Sequence, residues 1–344
     1  MTLSQTRPPA THRTALILGA NGGLGRACTH QLLARGWHVR AWVRRPPAPG
    51  TWRAHPALEI VVGDVGQAAD VRAAAHGCAA VIHAVNPPRY QGWERYCLPW
   101  LEHSIAAARA ADARLVLPGN VYVYDPTLST AREGLDEAAA CQPRSRKGAI
   151  RVALESRLRQ AADQGVRSLV LRCGDFFGPE PGGNWLSQAI LQPGRPVRRL
   201  IWPGQPGVGH AWAYLPDVAA TLGALLEQDA RLGRHETLQF GGHWDADGTR
   251  MLTTLRQVVA NQTGRAPRVW PLPWPLIRLA SPVSPFMAEL SELRDLWRYP
   301  LRLDDRRLRQ WLGDVPHTPW TQAITATLSG LGCLPAHDAA PALG

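Results

Sequence analysis

The first half of the chain alternates short apolar runs with amphipathic stretches of helical periodicity. This alternation is typical of β-α-β units, in which a parallel sheet is buried between helices on both faces. The apolar runs predict six strands, over residues 15–18, 37–43, 58–62, 79–83, 114–117 and 168–171. The amphipathic stretches predict helices over residues 25–34, 68–75, 96–111 and 151–164. The pattern therefore predicts an α/β fold with a doubly wound parallel sheet, whose ligand crevice lies at the carboxyl ends of the strands.

The pattern changes after about residue 174. Gly and Pro are dense over residues 174–209, and Trp alternates with Pro over 270–285. Loops of this length usually belong to a binding region. Further helices are predicted over residues 216–226, 251–262, 286–297, 304–312 and 320–328. We predict one domain over residues 13–174 and a smaller cap domain mainly over 175–332, with 200–240 returning in part to the sheet; residues 1–12 and 335–344 are expected to be disordered tails.

A glycine string follows the first predicted strand and opens the first predicted helix. It reads Gly19-Ala20-Asn21-Gly22-Gly23-Leu24-Gly25. Gly19 would allow a tight turn, Gly22 would let the backbone approach a pyrophosphate, and Gly25 would let the helix pack close to the strand. An anion would then contact the amides at the positive end of the helix dipole. This context predicts a dinucleotide-binding loop of the Rossmann type.

The end of the second predicted strand bears on the choice of cofactor. An acidic residue there would bind a ribose 2′-hydroxyl, but the sequence has Arg44 and Arg45. Arginine forms bidentate hydrogen bonds with phosphate, which favours NADP, with NAD as the alternative. Two solvated surface arginines are the other interpretation. Further cofactor contacts are predicted after the third and fourth strands, at Asp64, Val65, His83 and Ala84.

The glycine string is one of several motifs that occur in order along residues 14–330. The others are Gly63-Asp64-Val65, Val81-Ile82-His83-Ala84 and Leu215-Pro216-Asp217-Val218-Ala219. With these motifs the chain resembles the short-chain dehydrogenase/reductase superfamily, and in length it is similar to the extended branch, the NAD-dependent epimerase/dehydratase family. The resemblance implies a Rossmann domain with a substrate-binding cap and hydride transfer between nicotinamide and a carbonyl/alcohol carbon.

The same resemblance shows departures at the family's catalytic positions. Asn120 stands where the family has Ser or Thr, Lys147 replaces the tyrosine, and Arg151 replaces the lysine four residues later. In one interpretation, Lys147 is the acid/base, Arg151 its electrostatic partner and Asn120 orients the substrate, the lysine being neutralised by burial and neighbouring positive charges. In another, Lys147 and Arg151 hold the cofactor and the protein is a catalytically silent NADP(H) sensor or regulator. They can also be plain solvated helix charges.

Candidate substrate contacts come mainly from the second half of the chain. Asp175 stands where the family usually has an asparagine, and a buried carboxylate there would repel a sugar-nucleotide diphosphate unless Arg195, Arg198 or Arg199 compensates. An aromatic or imidazole group, Tyr122, His210 or Tyr214, can supply the missing acid. The full set of predicted substrate residues is Tyr122, Asp175, Asn184, Trp185, His210 and Tyr214.

Composition and charge narrow the partners. The net charge is +11, but the basic residues are scattered, so we expect a small-molecule substrate and no specific nucleic-acid partner. No apolar run is long enough to span a bilayer, and the amino-terminal residues lack a secretory core, so we expect a cytoplasmic protein without a membrane partner. The six cysteines show neither C-x-x-C pairs nor metal-ligand spacing, which predicts no disulfide and no metal. Helices 96–111 and 151–164 resemble the family's dimer bundle, which allows a homodimer.

Overall fold

The structure is a computed structural model that describes residues 13–335, except 49, 51, 88–91 and 181. The predicted tail 1–12, and all of the predicted tail 335–344 except residue 335, lie outside the described part. Among the described residues, no helix combines the length and the apolar character needed to cross a bilayer.

A seven-stranded parallel sheet forms the centre of the molecule. Its strands are β1 (Thr14–Leu18), β2 (His38–Val43), β3 (Leu58–Val62), β4 (Ala80–His83), β5 (Arg114–Asn120), β6 (Ser168–Cys173) and β10 (His235–Phe240). They lie in the order β10-β6-β5-β4-β1-β2-β3, and every neighbouring pair is parallel. Residues 15–18 of β1 are completely buried, which explains why they are apolar without alternation. The predicted doubly wound sheet is confirmed.

Helices cover both faces of this sheet. One face packs against α1 (Gly23–Ala34) and α6 (Leu215–Glu227), which share a core with β1 and β2. The other face packs against α2 (Ala68–Ala75), α3 (Trp93–Ala110) and α5 (Arg146–Asp163). β1 pairs with β2 on one side and with β4 on the other, so the order of the strands reverses direction at β1. Such a switch point opens a crevice at the carboxyl ends of β1 and β4.

The remaining elements form the cap. They are α4 (Thr130–Glu133), β7 (Asp175–Phe177), β8 (Arg199–Trp202), β9 (His210–Tyr214), β11 (His243–Asp245), α7 (Arg250–Thr263), β12 (Arg268–Pro271), α8 (Trp274–Ala280), α9 (Pro285–Glu292), α10 (Arg306–Leu312) and α11 (Trp320–Gly330). Strands β11, β9 and β7 form one small sheet, and β12 pairs with β8 in another. Most of the cap shares a separate apolar core rich in tryptophan.

Two parts of the second half belong to the central sheet rather than to the cap core. β10 is its edge strand beside β6, and α6 packs on α1. Leu308 of α10 is buried in the same cluster as Phe240 of β10, an attachment that the sequence pattern did not indicate. In the Gly- and Pro-dense segments, where only loops were predicted, the chain forms β7, β8, β12 and α8. Proline at the start of α8 is compatible with a helix, because amides in the first turn have no intrahelical acceptor and proline therefore loses no hydrogen bond there.

Candidate functional site

A cavity of about 990 Å³ lies at the carboxyl edge of the central sheet. Its walls come from the loops after β1, β2, β3 and β4, from the end of β5, and from a cap segment over residues 182–188. The predicted residues that line it are Gly19, Asn21, Gly22, Gly23, Leu24, Arg44, Asp64, Val65, His83, Ala84, Arg151 and Asn184. We call this cavity the crevice. Part of its lining was not predicted from the sequence, including Trp100 on α3 and Gln188 in the cap.

The glycine loop has a backbone that larger residues could not adopt. Gly19 has a φ of +84°, and a Cβ there would lie 2.5 Å from the carbonyl oxygen of Ala84. A Cβ on Gly25 would lie 2.3 Å from the oxygen of Gly19, so α1 can approach β1 only because residue 25 is glycine. A Cβ on Gly22 would meet only the Gly19 oxygen, at 3.3 Å, which leaves its crevice side open. The first turn of α1 directs amides without intrahelical acceptors at this space, as a pyrophosphate requires.

The end of β2 is fixed against the glycine loop. The amides of Gly19 and Ala20 donate to the carbonyl oxygen of Trp42, at 3.2 and 3.1 Å. The Trp42 ring packs on Gly63, where a Cβ would lie 2.2 Å from the indole. Arg44 and Arg45 come directly after β2, and both are exposed and line the crevice. Two guanidinium groups therefore stand at the edge where a dinucleotide would place its adenosine ribose.

Asp64 and Val65 continue this edge after β3. The Asp64 carboxylate accepts a hydrogen bond from the Gly66 amide at 2.9 Å, which shapes the turn. Val65 is buried, and its carbonyl oxygen lies 2.8 Å from Nδ1 of His103. Both residues therefore have structural contacts in addition to their place on the crevice wall.

His83 ends β4 at the floor of the crevice. The Ser104 hydroxyl donates to the Trp100 carbonyl at 3.2 Å and therefore accepts from Nδ1 of His83, at 2.8 Å. Burial, with a smaller contribution from the positive charge of Arg151, lowers the pKa of His83 to about 3. The imidazole is neutral at ordinary pH, and its Nε2 carries the lone pair.

Arg151 reaches the crevice from α5. Its Nη2 donates to Oδ1 of Asn86 at 3.0 Å and its Nη1 donates to the Pro118 carbonyl at 3.3 Å. The guanidinium also lies 5.0 Å from the ring centroid of Trp93. These contacts place a fixed positive charge beside the loop after β4.

Lys147 occupies a different environment from Arg151, one turn earlier on α5. It is 4% exposed, and its Nζ forms an ion pair with Glu289 of α9. Nζ also lies 5.9 Å from the ring centroid of Trp93, and the Lys147 amide donates to Glu292 at 2.8 Å. The carboxylate of Glu289 is a neighbour of opposite charge that the sequence did not indicate. Lys147 is not among the residues that line the described crevice.

Asn120 shapes the turn that follows β5. Its Oδ1 accepts a hydrogen bond from the Tyr122 amide at 3.1 Å, which caps a single helical turn over Val121–Val123. The start of α5 packs on this turn so closely that a Cβ on Gly148 would lie 2.2 Å from the Tyr122 carbonyl oxygen. The predicted role of Asn120 in orienting substrate stays a prediction.

Three of the predicted substrate residues form one hydrogen-bonded chain. The Tyr122 hydroxyl donates to Oδ1 of Asp175 at 3.3 Å, and Nε2 of His210 lies 2.9 Å from Oδ2 of the same carboxyl group. Nδ1 of His210 lies 3.2 Å from the Leu296 carbonyl, and the imidazole stacks on Trp297 with ring centroids 4.0 Å apart. Asp175 and His210 are 6% and 7% exposed. We call this arrangement the Tyr–Asp–His chain.

Comparisons with known proteins agree with this geometry. Residues 19–148 match the model of a protein family described as NAD(P)H-binding. Among solved structures, MoeE5 in complex with UDP-glucose and NAD is 18% identical, with a TM-score of 0.67 over 92% of this chain and 98% of that one. The Thermus thermophilus UDP-glucose 4-epimerase complex with NAD is 19% identical, with a TM-score of 0.64 over 92% and 98%. The chain shares the fold of these two proteins, a Rossmann domain extended by a cap, which we call the extended fold.

Two further proteins extend the comparison. RMD from Pseudomonas aeruginosa, complexed with NADPH, shares the extended fold at 17% identity, with a TM-score of 0.63 over 93% of this chain and 99% of that one. A ceramide reductase from Caulobacter vibrioides is 33% identical over 134 residues, which are 37% of this chain and 42% of that protein. This match spans less than half of the curated relative. The family match at residues 19–148 places an NAD(P)H-binding region in the central-sheet half of the extended fold.

Two predicted substrate residues lie in the cap core of this extended fold. Trp185 is 7% exposed, and its ring centroid lies 5.2 Å from that of Trp297. Tyr214 packs against Phe177, with centroids 5.2 Å apart, and burial, with the nearby Asp217 carboxylate, raises its pKa to about 12. Their contacts are those of packing residues, and their role toward substrate stays a prediction.

A buried polar network, which no sequence pattern indicated, joins the sheet of the extended fold to its cap. Arg172 of β6 donates to both carboxylate oxygens of Glu155 and, at 2.5 Å, to the Tyr124 hydroxyl. Gln239 of β10 donates to the same hydroxyl at 2.6 Å. Burial raises the Tyr124 pKa to about 12, so the phenol stays protonated. The network fixes the segment after Asn120 against the sheet.

One group of residues in the extended fold brings potential metal ligands together. Asp217, His243 and His317 offer ligand atoms within 4.8 Å of one another. The Asp217 carboxylate already accepts from the Thr318 amide at 2.7 Å and from its hydroxyl at 2.6 Å, and Nε2 of His243 donates to the Thr318 carbonyl at 2.7 Å. These hydrogen bonds explain why the three side chains lie together: they hold the loop before α11 in place.

Proposed function

We propose that this protein is an NADP(H)-dependent oxidoreductase that moves a hydride between nicotinamide and a carbonyl or alcohol carbon. The observation that carries the proposal is the Tyr–Asp–His chain, in which Asp175 directly precedes Phe176 of the crevice lining. Tyr122, Asp175 and His210 do not themselves line the described crevice; we propose that the Tyr–Asp–His chain, next to the crevice wall, supplies an acid in place of the family's tyrosine. The expected cytoplasmic location and homodimer stay predictions.

The crevice supports cofactor binding by its shape and charge. The glycine loop leaves room for a pyrophosphate against the first turn of α1, and His83 and Asn86 lie where the nicotinamide half would pass. A bound nicotinamide would supply or accept the hydride at its C4. Arg44 and Arg45 offer bidentate hydrogen bonds to a ribose 2′-phosphate, which supports NADP over NAD.

The Tyr–Asp–His chain supports proton transfer because a proton lies between Asp175 and His210. Nδ1 of His210 faces a carbonyl oxygen and must donate to it, so the contact with Asp175 is either imidazolium to carboxylate or carboxylic acid to imidazole. Once Tyr122 has given its proton to the substrate, either form can return a proton to the phenolate. In carbonyl reduction Tyr122 gives its proton to the substrate oxygen and regains one from the Asp175–His210 pair, and in alcohol oxidation the proton moves in the opposite direction.

Lys147 suits a positioning role in this proposal. Glu289 and the face of Trp93 are both partners that bind a cation. The ammonium therefore holds α9 against α5, while Tyr122 transfers the proton. Among the similar proteins, the name of the ceramide reductase supports a reductive direction. The similar structures that hold NAD support a nicotinamide cofactor.

The experiment is a single-turnover measurement of nicotinamide absorbance with NADPH. The substrates offered with NADPH run from short aldehydes to long-chain ketones, and UDP-glucose is offered as an alcohol with NADP⁺. We expect Tyr122→Phe to slow hydride transfer by about 10²- to 10⁴-fold with NADPH affinity unchanged. Tyr299→Phe, which alters a tyrosine that contacts Arg298 outside the crevice lining, should leave the rate unchanged.

Two results would contradict the proposal. If Lys147→Met abolishes hydride transfer and Tyr122→Phe does not, Lys147 is the acid/base, as one interpretation of the sequence holds. If NADPH binds tightly and no substrate in the panel changes its absorbance, the protein is the silent NADP(H) sensor or regulator. The departures at Asn120, Lys147 and Arg151 favour that second function.

A further inference from the structure

Exposed apolar side chains are concentrated in one segment of the cap. Of the seven large apolar side chains most exposed in the described part of the chain, five lie within residues 270–286. We call these five the apolar ridge: Trp270, Leu276, Leu279, Val283 and Phe286, which are 53%, 64%, 79%, 86% and 50% exposed. The ridge runs from the end of β12 along α8 into the first turn of α9. Such a concentration indicates a contact surface.

The ridge stands on a well-anchored base. Trp274 and Ile277 of α8 face inward and are 7% and 4% exposed, in the cap core. The Trp274 indole donates to the Pro203 carbonyl at 2.9 Å. The helix therefore has a filled inner face, and Leu276 and Leu279 are exposed on the side that the core does not use.

The charge around the ridge has one sign. Residues 248–288 contain five arginines and neither Asp nor Glu, and residues 181–216 contain three arginines and no acid. The two segments meet where β12 pairs with β8, and Arg199 lies over the Trp270 ring, 5.6 Å from its centroid. Arg268 and Arg278 are exposed beside the ridge. The ridge is thus an apolar surface in a positive field.

The nearest carboxylates on α9 and after it are engaged elsewhere. Glu289 forms the ion pair with Lys147, and Glu292 accepts from the Lys147 amide. Asp295 accepts a hydrogen bond from Arg144 at 3.3 Å. Glu289 and Asp295 are therefore paired with cations of the central domain, and all three carboxylates are directed toward that domain.

We propose that the apolar ridge docks on the surface of an anionic lipid bilayer. Its side chains would enter the boundary between headgroups and acyl chains, with Trp270 at the interface and the arginines on lipid phosphates. A second copy of the chain fits less well, because a two-fold contact would oppose the same positive charges. The expectation of no membrane partner was based on the lack of a segment that could span a bilayer. Docking of this surface on a bilayer would not need such a segment. The inference does not depend on the proposed reaction.

The test is co-sedimentation of the full chain with vesicles. One set contains phosphatidylcholine alone, and the other contains phosphatidylcholine mixed with phosphatidylglycerol. We expect binding to the anionic vesicles only, and weaker binding as salt is raised. The variant Leu279→Ser/Val283→Ser should bind at least about tenfold more weakly. Arg268→Gln/Arg278→Gln should also bind about tenfold more weakly.

A matched control uses the other two exposed apolar side chains. Val62→Ser/Leu128→Ser changes residues that are 52% and 46% exposed outside the ridge, and its vesicle binding should equal that of the unchanged chain. Circular dichroism should show that all variants fold. Equal binding to both kinds of vesicle, binding to neither, or a ridge variant that changes only the oligomeric state in size-exclusion chromatography overturns the proposal. The last result would identify the ridge as a contact between copies.

Discussion

On the sheet side, backbone atoms shape the crevice, whereas on the cap side, outside the crevice lining, side chains are held in pairs. Gly19 and Gly25 act through the space that a missing Cβ leaves, and the Gly19 amide bonds to the Trp42 carbonyl. Outside the crevice lining, Lys147 of α5 is paired with Glu289 of the cap, and Asp175 with His210. A backbone site depends on local sequence, while a side-chain site depends on residues far apart in the chain.

The largest effect should come from the backbone side. We expect Gly19→Ala to weaken NADPH binding by at least about 100-fold, because overpacking against Ala84 costs about 3 kcal/mol. Fluorescence titration with NADPH measures it. Gly165→Ala is the control, since Gly165 also has a positive φ, of +93°, and a Cβ added there would have no other atom within 4 Å. If both variants bind NADPH as the unchanged protein does, the loop is not a backbone site.

The next effect concerns the side-chain pair on the cap side. Lys147→Met leaves the Glu289 carboxylate, which is 23% exposed, without its partner. We expect a loss of about 2 kcal/mol in the free energy of unfolding, below the range for fully buried pairs. The double variant Lys147→Met/Glu289→Gln should recover most of that loss in urea unfolding. Equal stability of the single and double variants would show that the two residues are not coupled.

A smaller effect distinguishes the two nicotinamide cofactors. We expect Arg44→Gln to weaken NADPH binding by about tenfold and to leave NADH binding unchanged, because only NADPH carries a 2′-phosphate. Arg53→Gln removes an exposed arginine that does not line the crevice and should change neither affinity. A parallel loss for NADH would mean that Arg44 contacts a group common to both cofactors.

The smallest effect is a pH dependence at the crevice floor. His83 has a pKa of about 3 in the folded chain and 6.5 as its ordinary value. Below about pH 6.5 His83 binds a proton in the unfolded chain but stays neutral in the folded chain. The free energy of unfolding therefore falls with falling pH, by at most about 1.4 kcal/mol per pH unit. His83→Gln should reduce the slope of unfolding free energy against pH, and His55→Gln, at an exposed site, should not. An unchanged slope would show that His83 is not held neutral.

The contrast also explains what the sequence could predict. Residues 15–18 form a strand because they are apolar and wholly buried, and α2 spans the predicted 68–75, since both signals are local. The glycine spacing is local as well. β12 and α8 were not predicted, because prolines interrupt their apolar pattern and tertiary packing against β8 and Pro203 supplies the missing support.

The cap side of the site required contacts that no local pattern contains. Tyr122 and Asp175 are separated by 53 positions, and Asp175 and His210 by 35. The sequence named all three residues but not the chain that joins them. Glu289 was not named at all, because nothing in α9 indicates that its carboxylate faces α5.

The ion pair at Lys147 has a consequence for how the protein can be modified. Lys147 is the sole lysine among 344 residues, and it is 4% exposed. Acetyl, ubiquitin and amine-reactive crosslinking groups therefore find no accessible ε-amine on the folded molecule. Any such adduct on Lys147 would mark a moment when α5 and α9 had separated.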